Sequence, residues 1–406
     1  MRIHGAGPTG ALAALAMADA GWVVSLHDPL EAAALTARSR AYALTHSSRR
    51  LLQRLGLWEA LEPRFTPFDR LHLCDLGAGA SLDFTAVDLP DPAARAADAP
   101  LGWIARHHDL METLLQRLQG HPAVSLRLGM GSEAAWHSPL PEAAPDGALD
   151  GRRPAPGREV EAAADLILAA DGPASPTREA VGIGRWRVPY RQSCLTVQVE
   201  LRGASAGEAW ELLRPEGPFA VLPLGERRAQ LVWSAPAPRC RQRQELDDSA
   251  LLDLLAGLLP AGVEPDGLLD APRSFPVALE LARRLRRGST LLVGESAHRC
   301  HPVGGQGLNL CWRDVAELHR LALRVRQGRL PLRRLGPLYA RRRWPDLLLT
   351  LAATDAMVRL FSNRSPLLLP VRFLALALLS RGQGLRRLSL RLMSEGSGRL
   401  AATSPE

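Results

Sequence analysis

The chain has 406 residues, of which 46% are hydrophobic and 23% are charged, and this composition argues against extensive disorder. Its length suffices for about two or three structural units with a sizeable core, which excludes a small scaffold held by disulfides or metal ions. The five cysteines are scattered without a C-x-x-C pair, so we expect reduced thiols in a cytoplasmic protein.

The positive charge is concentrated in the last third of the chain. All 50 basic residues are arginine, and the net charge is +8. Residues 281–406 contain 23 arginines and 7 acidic residues, so this segment carries +16 and the preceding residues carry −8. Such a segment attracts phosphate-bearing partners such as an anionic lipid or a dinucleotide. We expect no nucleic-acid partner, because no aromatic platform or recognition helix is evident among the arginines.

The N-terminus contains a glycine-rich turn, GAGPTG, between a short strand and an Ala/Leu-rich helix. A second strand follows and ends at Asp28, which completes the order of a dinucleotide-binding βαβ unit. We therefore expect Gly5, Gly7 and Gly10 to contact a pyrophosphate and Asp28 to contact a ribose. A plain glycine turn followed by a surface aspartate is the alternative interpretation. No leader peptide precedes the turn, so export is not expected.

The middle of the chain indicates a β-rich domain inserted between segments of the dinucleotide-binding domain. Predicted helices cover residues 48–62, 109–118 and 249–259, and predicted strands cover 71–84 (a pair), 160–170, 194–201, 220–224 and 229–235. Residues 133–160 lack helical or strand periodicity and are predicted to form a surface excursion, a loop outside the main fold.

The end of the chain is predicted to be mainly helical. A buried strand at 289–293 precedes a helix at 310–327, and residues 335–395 are mostly helical with basic faces. The apolar run 367–379 contains Pro370 and Arg372 and is shorter than the ~20 residues that cross a bilayer. It is therefore not a transmembrane helix.

Two further motifs follow buried strands. The first places Asp171-Gly172 after an apolar strand, with Arg178 beyond it, although Asp171 capping a helix and pairing with Arg178 is an alternative. The second, LLVGESAHRCHPVGGQGLNL at 291–310, runs from a strand through a glycine-rich loop into a helix. His298 and His301 flank this loop without an acidic or cysteine partner, so we expect loop-anchoring hydrogen bonds and no metal.

Together with the N-terminal turn, these motifs resemble the three signatures of aromatic-ring hydroxylases that use a single FAD. The chain is most similar to the ubiquinone-biosynthesis hydroxylases, which act on polyprenylated phenols, and the similarity covers nearly its whole length. Other strings that carry it are RSRAYAL (38–44), LGLW (55–58), PEGPFAVLPL (215–224), Tyr339 with 341–343, TD (354–355) and LFSN (360–363).

The resemblance implies an α/β fold. A Rossmann-like FAD-binding domain of the glutathione-reductase type would carry an inserted β-sheet substrate domain, followed by a C-terminal helical region. The implied division is 1–70, 98–184 and 272–345 for the FAD domain, 71–97 and 185–271 for the substrate domain, and 346–406 for the helical region.

The resemblance also implies roles for individual residues along the cofactor. Gly5, Gly7 and Gly10 would face the pyrophosphate of FAD, and Asp28 its adenosine ribose. The other implied contacts are Arg40 along the cofactor, Arg106 beside the flavin, Asp171 and Gly172 with both FAD and the reducing nicotinamide, Glu295 with the ribityl chain, and the backbone of Pro302, Gly305, Gln306, Gly307, Leu308 and Asn309 near the isoalloxazine and substrate. Glu295 and Cys311 depart from the family, which has aspartate and commonly glycine there.

The implied activity is that of an FAD- and NAD(P)H-dependent monooxygenase that uses O2 to hydroxylate a prenylated phenolic ring in quinone biosynthesis. No catalytic base can be identified from the sequence. A reductase or dehydrogenase of the same fold acting on a prenyl lipid, and a flavin-fold scaffold without activity, are the alternatives. The basic C-terminal region with its apolar run would suit peripheral membrane contact, and a solvated helical cap is the other interpretation.

Overall fold

A computed structural model of the protein describes residues 1–95, 99–129 and 166–396. The segment 133–160, predicted as a surface excursion, lies outside the described residues, as does the beginning of the strand predicted at 160–170. Within the described ranges, no helix combines the length and the apolar character needed to span a bilayer.

Strands form where apolar and β-branched residues alternate or run together between turns. Most of them are short, and the longest crosses the centre of the chain. In order they are β1 (Arg2–His4), β2 (Val24–Asp28), β3 (Ala41–Leu44), β4 (Thr66–Phe68), β5 (Arg70–Asp75), β6 (Ala80–Thr85), β7 (Gly102–Arg106), β8 (Val124–Leu128), β9 (Ile167–Ala169), β10 (Arg185–Arg202), β11 (Glu208–Leu213), β12 (Phe219–Pro223), β13 (Arg228–Pro236), β14 (Glu264–Leu268), β15 (Arg273–Ala282), β16 (Arg286–Arg287), β17 (Thr290–Leu292) and β18 (His298–Arg299).

Helices occupy the segments with apolar residues at helical spacing, and they dominate the last quarter of the chain. In order they are α1 (Pro8–Asp19), α2 (Ala32–Thr36), α3 (His46–Arg54), α4 (Trp58–Leu61), α5 (His107–Gln119), α6 (Pro176–Ala180), α7 (Ala237–Gln244), α8 (Asp248–Ala256), α9 (Gln306–Arg326), α10 (Leu332–Phe361), α11 (Leu369–Arg381) and α12 (Gln383–Glu395). Short 3-10 turns include Gly294–Ser296 and Val303–Gly305.

The N-terminal strand lies in the middle of a six-stranded sheet with the order β16-β17-β9-β1-β2-β8. Its pairings are parallel except that of β16 with β17, and Ile3 lies between Leu26 on β2 and Leu168 on β9. Helices α1, α5 and α9 share one buried cluster with these strands. Parallel sheets need such covering layers because their strands are apolar on both faces. The predicted α/β fold with a dinucleotide-binding βαβ unit is confirmed.

A nine-stranded sheet supplies the second layer, with the order β18-β15-β10-β13-β12-β11-β5-β6 and with β14 also paired to β10. Its pairings are antiparallel except that of β11 with β5. One set of alternating side chains packs with α7 and α8, and another packs with α10 to α12 and the small sheet β3-β7-β4. We call this second set, with Val303 from the loop before α9, the inner apolar cluster.

The structure corrects two predicted elements. The helix predicted at 48–62 is wrong as one element, since α3 ends at Arg54 and Gly56 adopts a left-handed φ of +62° before α4 begins. The strand predicted at 194–201 is part of the longer β10, whose beginning alternates Trp186, Val188 and Tyr190 with arginine and proline, a pattern that the prediction did not use. The division into three domains stays a prediction.

Candidate active site

The glycine-rich turn between β1 and α1 packs directly against the segment that follows β9. Gly5 has a φ of +93°, and a Cβ atom there would lie 2.4 Å from the carbonyl oxygen of Ala170. A Cβ atom on Gly10 would lie 1.8 Å from the carbonyl oxygen of Gly5. These two glycines are therefore required by the fold, because a side chain would push the helix away from the strands.

Gly7 has a different reason to be glycine. Its φ of −65° and ψ of −177° are accessible to any residue, and a Cβ atom there would meet nothing within 4 Å. Gly7 is the N-cap of α1, so the open space lies at the N-terminus of a 12-residue helix. Free N–H groups and the helix dipole favour an anion at such a position. The pyrophosphate contact predicted for Gly7 is compatible with this open position and stays a prediction.

Asp28 at the end of β2 holds the glycine turn in place. Its Oδ2 accepts a hydrogen bond from the Ala6 amide at 2.7 Å, and its Oδ1 accepts one from the Leu30 amide at 2.9 Å. The side chain is buried, with 8% exposure. The predicted contact of Asp28 with a ribose stays a prediction.

The Asp171-Gly172 motif contacts both other glycine-rich segments. Asp171 Oδ2 accepts a hydrogen bond from the Thr177 amide at 3.0 Å, whereas its buried Oδ1 has no hydrogen-bond partner among the described residues. Arg178 does not form an ion pair with Asp171 but donates to the carbonyl oxygens of Pro173 at 3.1 Å and Ser296 at 3.0 Å. The buried guanidinium thus ties this motif to the loop at 294–305.

The loop after β17 completes the convergence of the three motifs. Gly294 has a φ of +67°, and a Cβ atom there would lie 2.9 Å from Cγ2 of Thr9 on α1. Its amide donates to Asp314 Oδ2 at 2.8 Å. The next residue, Glu295, is exposed. The charge of Glu295 acts on Tyr42 of β3. Burial raises the pKa of Tyr42 to about 12, the charge of Arg40 lowers this pKa, and the charge of Glu295 raises it.

The loop then turns into α9 through two left-handed glycines, Gly304 (φ +68°) and Gly305 (φ +64°). A Cβ atom on Gly307, in the first turn of this 21-residue helix, would meet nothing within 4 Å. The site therefore contains a second long-helix N-terminus with open space beside it. Pro302 and Leu308 flank this turn and are partly exposed.

Asn309 and Gln306 fix the shape of this turn. Asn309 Nδ2 donates to the carbonyl oxygens of Ala43 at 2.7 Å and Gly305 at 2.9 Å, and its Oδ1 accepts from Ser48 Oγ at 2.7 Å. Gln306 Nε2 donates to the Gly304 carbonyl at 3.0 Å. Both side chains serve the protein itself, which leaves backbone groups to face a ligand.

The predicted arginines lie on or beside the small sheet. The guanidinium of Arg40 lies 5.0 Å from the ring centroid of Phe275, and Arg106 Nε donates to Asp109 Oδ2 at 2.6 Å. Ala41 pairs with Arg106, which brings the two arginines to the same end of β3 and β7. Their contacts with a flavin stay predictions.

A buried charge network, made of His298, Arg313, Asp314, Arg343 and Asp346, lies behind the loop. Asp314 Oδ2 lies 2.7 Å from His298 Nε2, and its Oδ1 accepts from Arg343 Nε at 2.6 Å. Arg343 also pairs with Asp346, which accepts from Arg313 at 2.9 Å. His298 therefore makes a loop-anchoring bond, but its partner is an acid, Asp314, which corrects the expectation that no acidic partner is present. The amide of Val303 donates to His301 Nδ1 at 3.2 Å.

Sequence reasoning missed one buried carboxylate in the site. Glu211 lies on β11 with 7% exposure, and its Oε2 accepts a hydrogen bond from the Gly304 amide at 3.2 Å. Burial raises its pKa to about 7, while the Gly304 bond acts in the opposite direction. The signal in the sequence was a single acid within the apolar run AWELL at 209–213.

Comparison with known proteins agrees with this geometry. The family described as "FAD binding domain" matches residues 2–342. The chain is 31% identical over 401 residues to the 3-demethoxyubiquinol 3-hydroxylase of Escherichia coli (strain K12), covering 96% of each protein. It is 33% identical over 398 residues to the ubiquinone hydroxylase UbiL of Rhodospirillum rubrum, covering 96% of this chain and 88% of that one.

Solved structures agree in fold. The p-nitrophenol 4-monooxygenase PnpA of Pseudomonas putida DLL-E4 superposes with a TM-score of 0.73 at 18% identity, covering 96% of this chain and 95% of that one. HpxO of Klebsiella pneumoniae, complexed with FAD and uric acid, superposes with a TM-score of 0.70 at 18% identity, covering 98% of this chain and 96% of that one.

Proposed function

Because this chain belongs to the FAD binding domain family, we propose that it is an FAD- and NAD(P)H-dependent monooxygenase that hydroxylates a prenylated phenolic ring in quinone biosynthesis. The observation that carries this proposal is the meeting of two glycine-rich segments and the Asp171-Gly172 motif, with open space at Gly7 and Gly307 near the N-termini of α1 and α9. Full-length relatives named as ubiquinol and ubiquinone hydroxylases support the reaction class and the substrate class.

The residues present fit FAD. Gly5 and Gly10 shape the turn, and the N-terminus of α1 beside Gly7 would hold the pyrophosphate, with Asp28 near the adenosine ribose. The free Oδ1 of Asp171 is a further acceptor for a hydroxyl of the cofactor. When bound, FAD accepts electrons from NAD(P)H and activates O2 for transfer of one oxygen atom to the ring.

The flavin end of the site is proposed at the turn into α9. Amides at residues 302–309, oriented by Asn309, would face the isoalloxazine, and Glu295 would lie near the ribityl chain. Arg40 and Arg106 lie at the neighbouring end of β3 and β7, where they would line the cofactor. Gly172 would contribute to the region that NAD(P)H approaches.

The substrate is proposed to enter the inner apolar cluster. This cluster joins Leu73 and Phe84 of the nine-stranded sheet to Val303 of the loop and to Leu376 and Leu390 of the C-terminal helices. An apolar surrounding suits a prenyl tail and excludes water from the ring that reacts. The cluster ends at the loop that would carry the flavin.

Incorporation of labelled oxygen tests the proposed function. The FAD-loaded protein is incubated with NAD(P)H, 18O2 and 2-geranylphenol, and we expect a hydroxylated product that contains one 18O atom. NAD(P)H consumption with a reduced, unlabelled lipid product would instead identify a reductase. A protein that binds no FAD even on reconstitution would support the scaffold interpretation.

Peripheral membrane contact is proposed for the outer face of α11. Leu367, in the turn before α11, and Val371, Leu374 and Leu378 within α11 follow helical spacing and are each more than half exposed. Phe373 adds a fifth exposed apolar side chain. Inward-facing residues of α11 and of the next helix, α12, belong to the inner apolar cluster. A lipid substrate could therefore pass from a bilayer into the site.

The basic residues near this face are fewer than the sequence suggested. Arg372 is buried in an ion pair with Asp75, and Arg386 Nε donates to Asp88 Oδ1 at 2.8 Å. Arg364 and Arg381 are exposed at the two ends of the apolar face and provide its charge complementarity to anionic lipid.

Replacing Leu374 and Leu378 together by glutamine is expected to weaken vesicle binding. The two half-exposed side chains contribute about 2 kcal/mol to insertion, so the partition coefficient should fall ~30-fold. The measurement is co-flotation with phosphatidylglycerol-containing vesicles at low salt, and added salt should weaken wild-type binding. Leu254→Gln, at a comparably exposed leucine on α8, is the control. Wild-type protein that does not float would refute the membrane contact.

A further inference from the structure

Glu211 is buried at the contact between the nine-stranded sheet and the loop that precedes α9. In the sheet it pairs with Ala220 on β12 and with Leu73 on β5. Its carboxylate reaches the amide of Gly304, whose neighbours Val303 and Gly305 form the turn into α9. The carboxylate therefore lies where the inner apolar cluster meets the proposed flavin loop.

No cation neutralises this carboxylate among the described residues, and its recorded polar partner is an uncharged amide. Several other buried acids among the described residues form ion pairs, such as Asp75 with Arg372 and Asp88 with Arg386. Burying a carboxylate without a neutralising cation costs folding free energy, so such groups are rare in structural positions and are more typical of functional sites.

Two buried titratable groups on the surrounding elements keep a constant charge near neutrality. Burial raises the pKa of the Cys194 thiol on β10 to about 12 and lowers the pKa of His301 in the loop to about 3. Asp75, two residues beyond the sheet partner Leu73, is held in its ion pair with Arg372. Glu211 is thus the group at this position whose charge changes near pH 7.

Polar atoms accompany Glu211 on this side of the sheet. Gln230 is 1% exposed, and its Oε1 has no hydrogen-bond partner among the described residues. His301 Nε2 is likewise buried and without a hydrogen-bond partner there, and the His301 ring lies 5.4 Å from that of Tyr190, whose hydroxyl donates to Asp355 at 3.0 Å. Such groups suit a ring that carries oxygen substituents.

We propose that Glu211 is the catalytic base that accepts the phenolic proton of the substrate, an inference that rests on the proposed function. The phenol O–H bond breaks, the proton binds to a carboxylate oxygen of Glu211, and the electron pair stays on the phenolate oxygen. The phenolate ring is more electron-rich and so reacts more readily with the activated oxygen. As the product ring becomes aromatic again, the carbon that gained oxygen loses its proton to water, and Glu211 returns its proton to the phenol oxygen. The base is thereby regenerated, and the proton transfer itself changes no oxidation state.

A Glu211→Gln variant tests this assignment, because glutamine retains an oxygen that can accept the Gly304 bond but takes up no proton. With FAD bound and 2-geranylphenol as substrate, we expect turnover to fall about 10²-fold at pH 7. The acidic limb of the wild-type pH profile, expected near pH 7, should move to the higher pH at which the phenol itself ionises. The residual rate should rise roughly tenfold per pH unit as the phenol ionises in solution, since its pKa is about 10.

Two further variants separate this role from others. Glu208→Gln, on the same strand but partly exposed, should leave the rate and the pH profile unchanged. Glu211→Ala removes both the base and the Gly304 bond. If Glu211→Gln keeps the wild-type rate and profile while Glu211→Ala fails, the residue anchors the loop and the base assignment is wrong. If the wild-type protein hydroxylates no phenol, the proposed function itself fails.

Discussion

A Gly7→Val variant is expected to fold normally and to emerge from purification colourless. Gly7 has backbone angles that valine adopts, and the added side chain would meet no protein atom within 4 Å of its Cβ position. It would instead occupy the space at the N-terminus of α1 in which we place the pyrophosphate. Loss of two charge-assisted hydrogen bonds costs about 4 kcal/mol, so FAD affinity should fall roughly 10³-fold.

The measurement is FAD titration by flavin fluorescence quenching, alongside thermal unfolding of the FAD-free protein. Gly120→Ala is the matched control, because its added methyl would come no closer than 3.9 Å to Gln116 and lies far from the turn in sequence. Gly10→Val should lower the stability of the FAD-free protein as well, given the 1.8 Å approach to Gly5. Normal flavin content in Gly7→Val would show that the pyrophosphate lies elsewhere.

An Asp314→Asn variant should lose about 3–5 kcal/mol of unfolding free energy. Asp314 is fully buried and accepts hydrogen bonds from the Gly294 amide and from Arg343, with His298 Nε2 at 2.7 Å. The asparagine NH2 group would point a donor at one of these donors and leave the guanidinium undercompensated. Urea unfolding of the FAD-saturated protein, followed by tryptophan fluorescence, measures the loss.

The stability difference between wild type and Asp314→Asn should also depend on pH. Burial alone would raise the pKa of Asp314, but the charges of His298 and Arg343 lower it from 3.8 to about 2. A carboxyl whose folded pKa is depressed stabilises the protein above its unfolded pKa, and this stabilisation is lost as pH falls toward the folded value. The difference between wild type and variant should therefore shrink between about pH 4 and pH 2.

Glu317→Gln provides the control one turn further along α9. Glu317 pairs with Arg320 and Arg342 near the surface, so its replacement should cost less than about 1 kcal/mol. An equal loss of unfolding free energy in both variants would mean that the buried charge network stabilises the protein no more than a surface ion pair does. A loss confined to Asp314→Asn supports a role for the network in holding the loop at 294–305.

The sequence predicted those parts of the fold that local rules control. The βαβ unit follows from apolar periodicity and glycine spacing, and the strands before Asp171 and Gly294 are apolar runs with clear ends. The fold class, the FAD cofactor and the monooxygenase class are confirmed by the family match and the relatives. The roles of single residues along FAD stay predictions.

Contacts between distant segments could not be read from spacing. Asp314 and Arg343 are 29 residues apart, and the sequence around each of them gives no sign that the two side chains pair. Glu211 was missed because β11 was not predicted, and the helix at 48–62 was predicted through a glycine whose left-handed backbone ends the first part. Tertiary packing decides the first two cases and the local backbone of Gly56 decides the third, and apolar periodicity reports neither.

The strand order of the six-stranded sheet has a consequence for biosynthesis. The central strand β1 is flanked by β9, and β9 is flanked in turn by β17 at Thr290–Leu292. These neighbouring strands are far apart in the sequence, so long stretches of chain must be brought together before they pair, which is slow. Until then the edges of β1 and β9 are unpaired and can aggregate. A nascent chain on the ribosome therefore cannot complete this sheet, or acquire its flavin, until β17 and α9 have been synthesised.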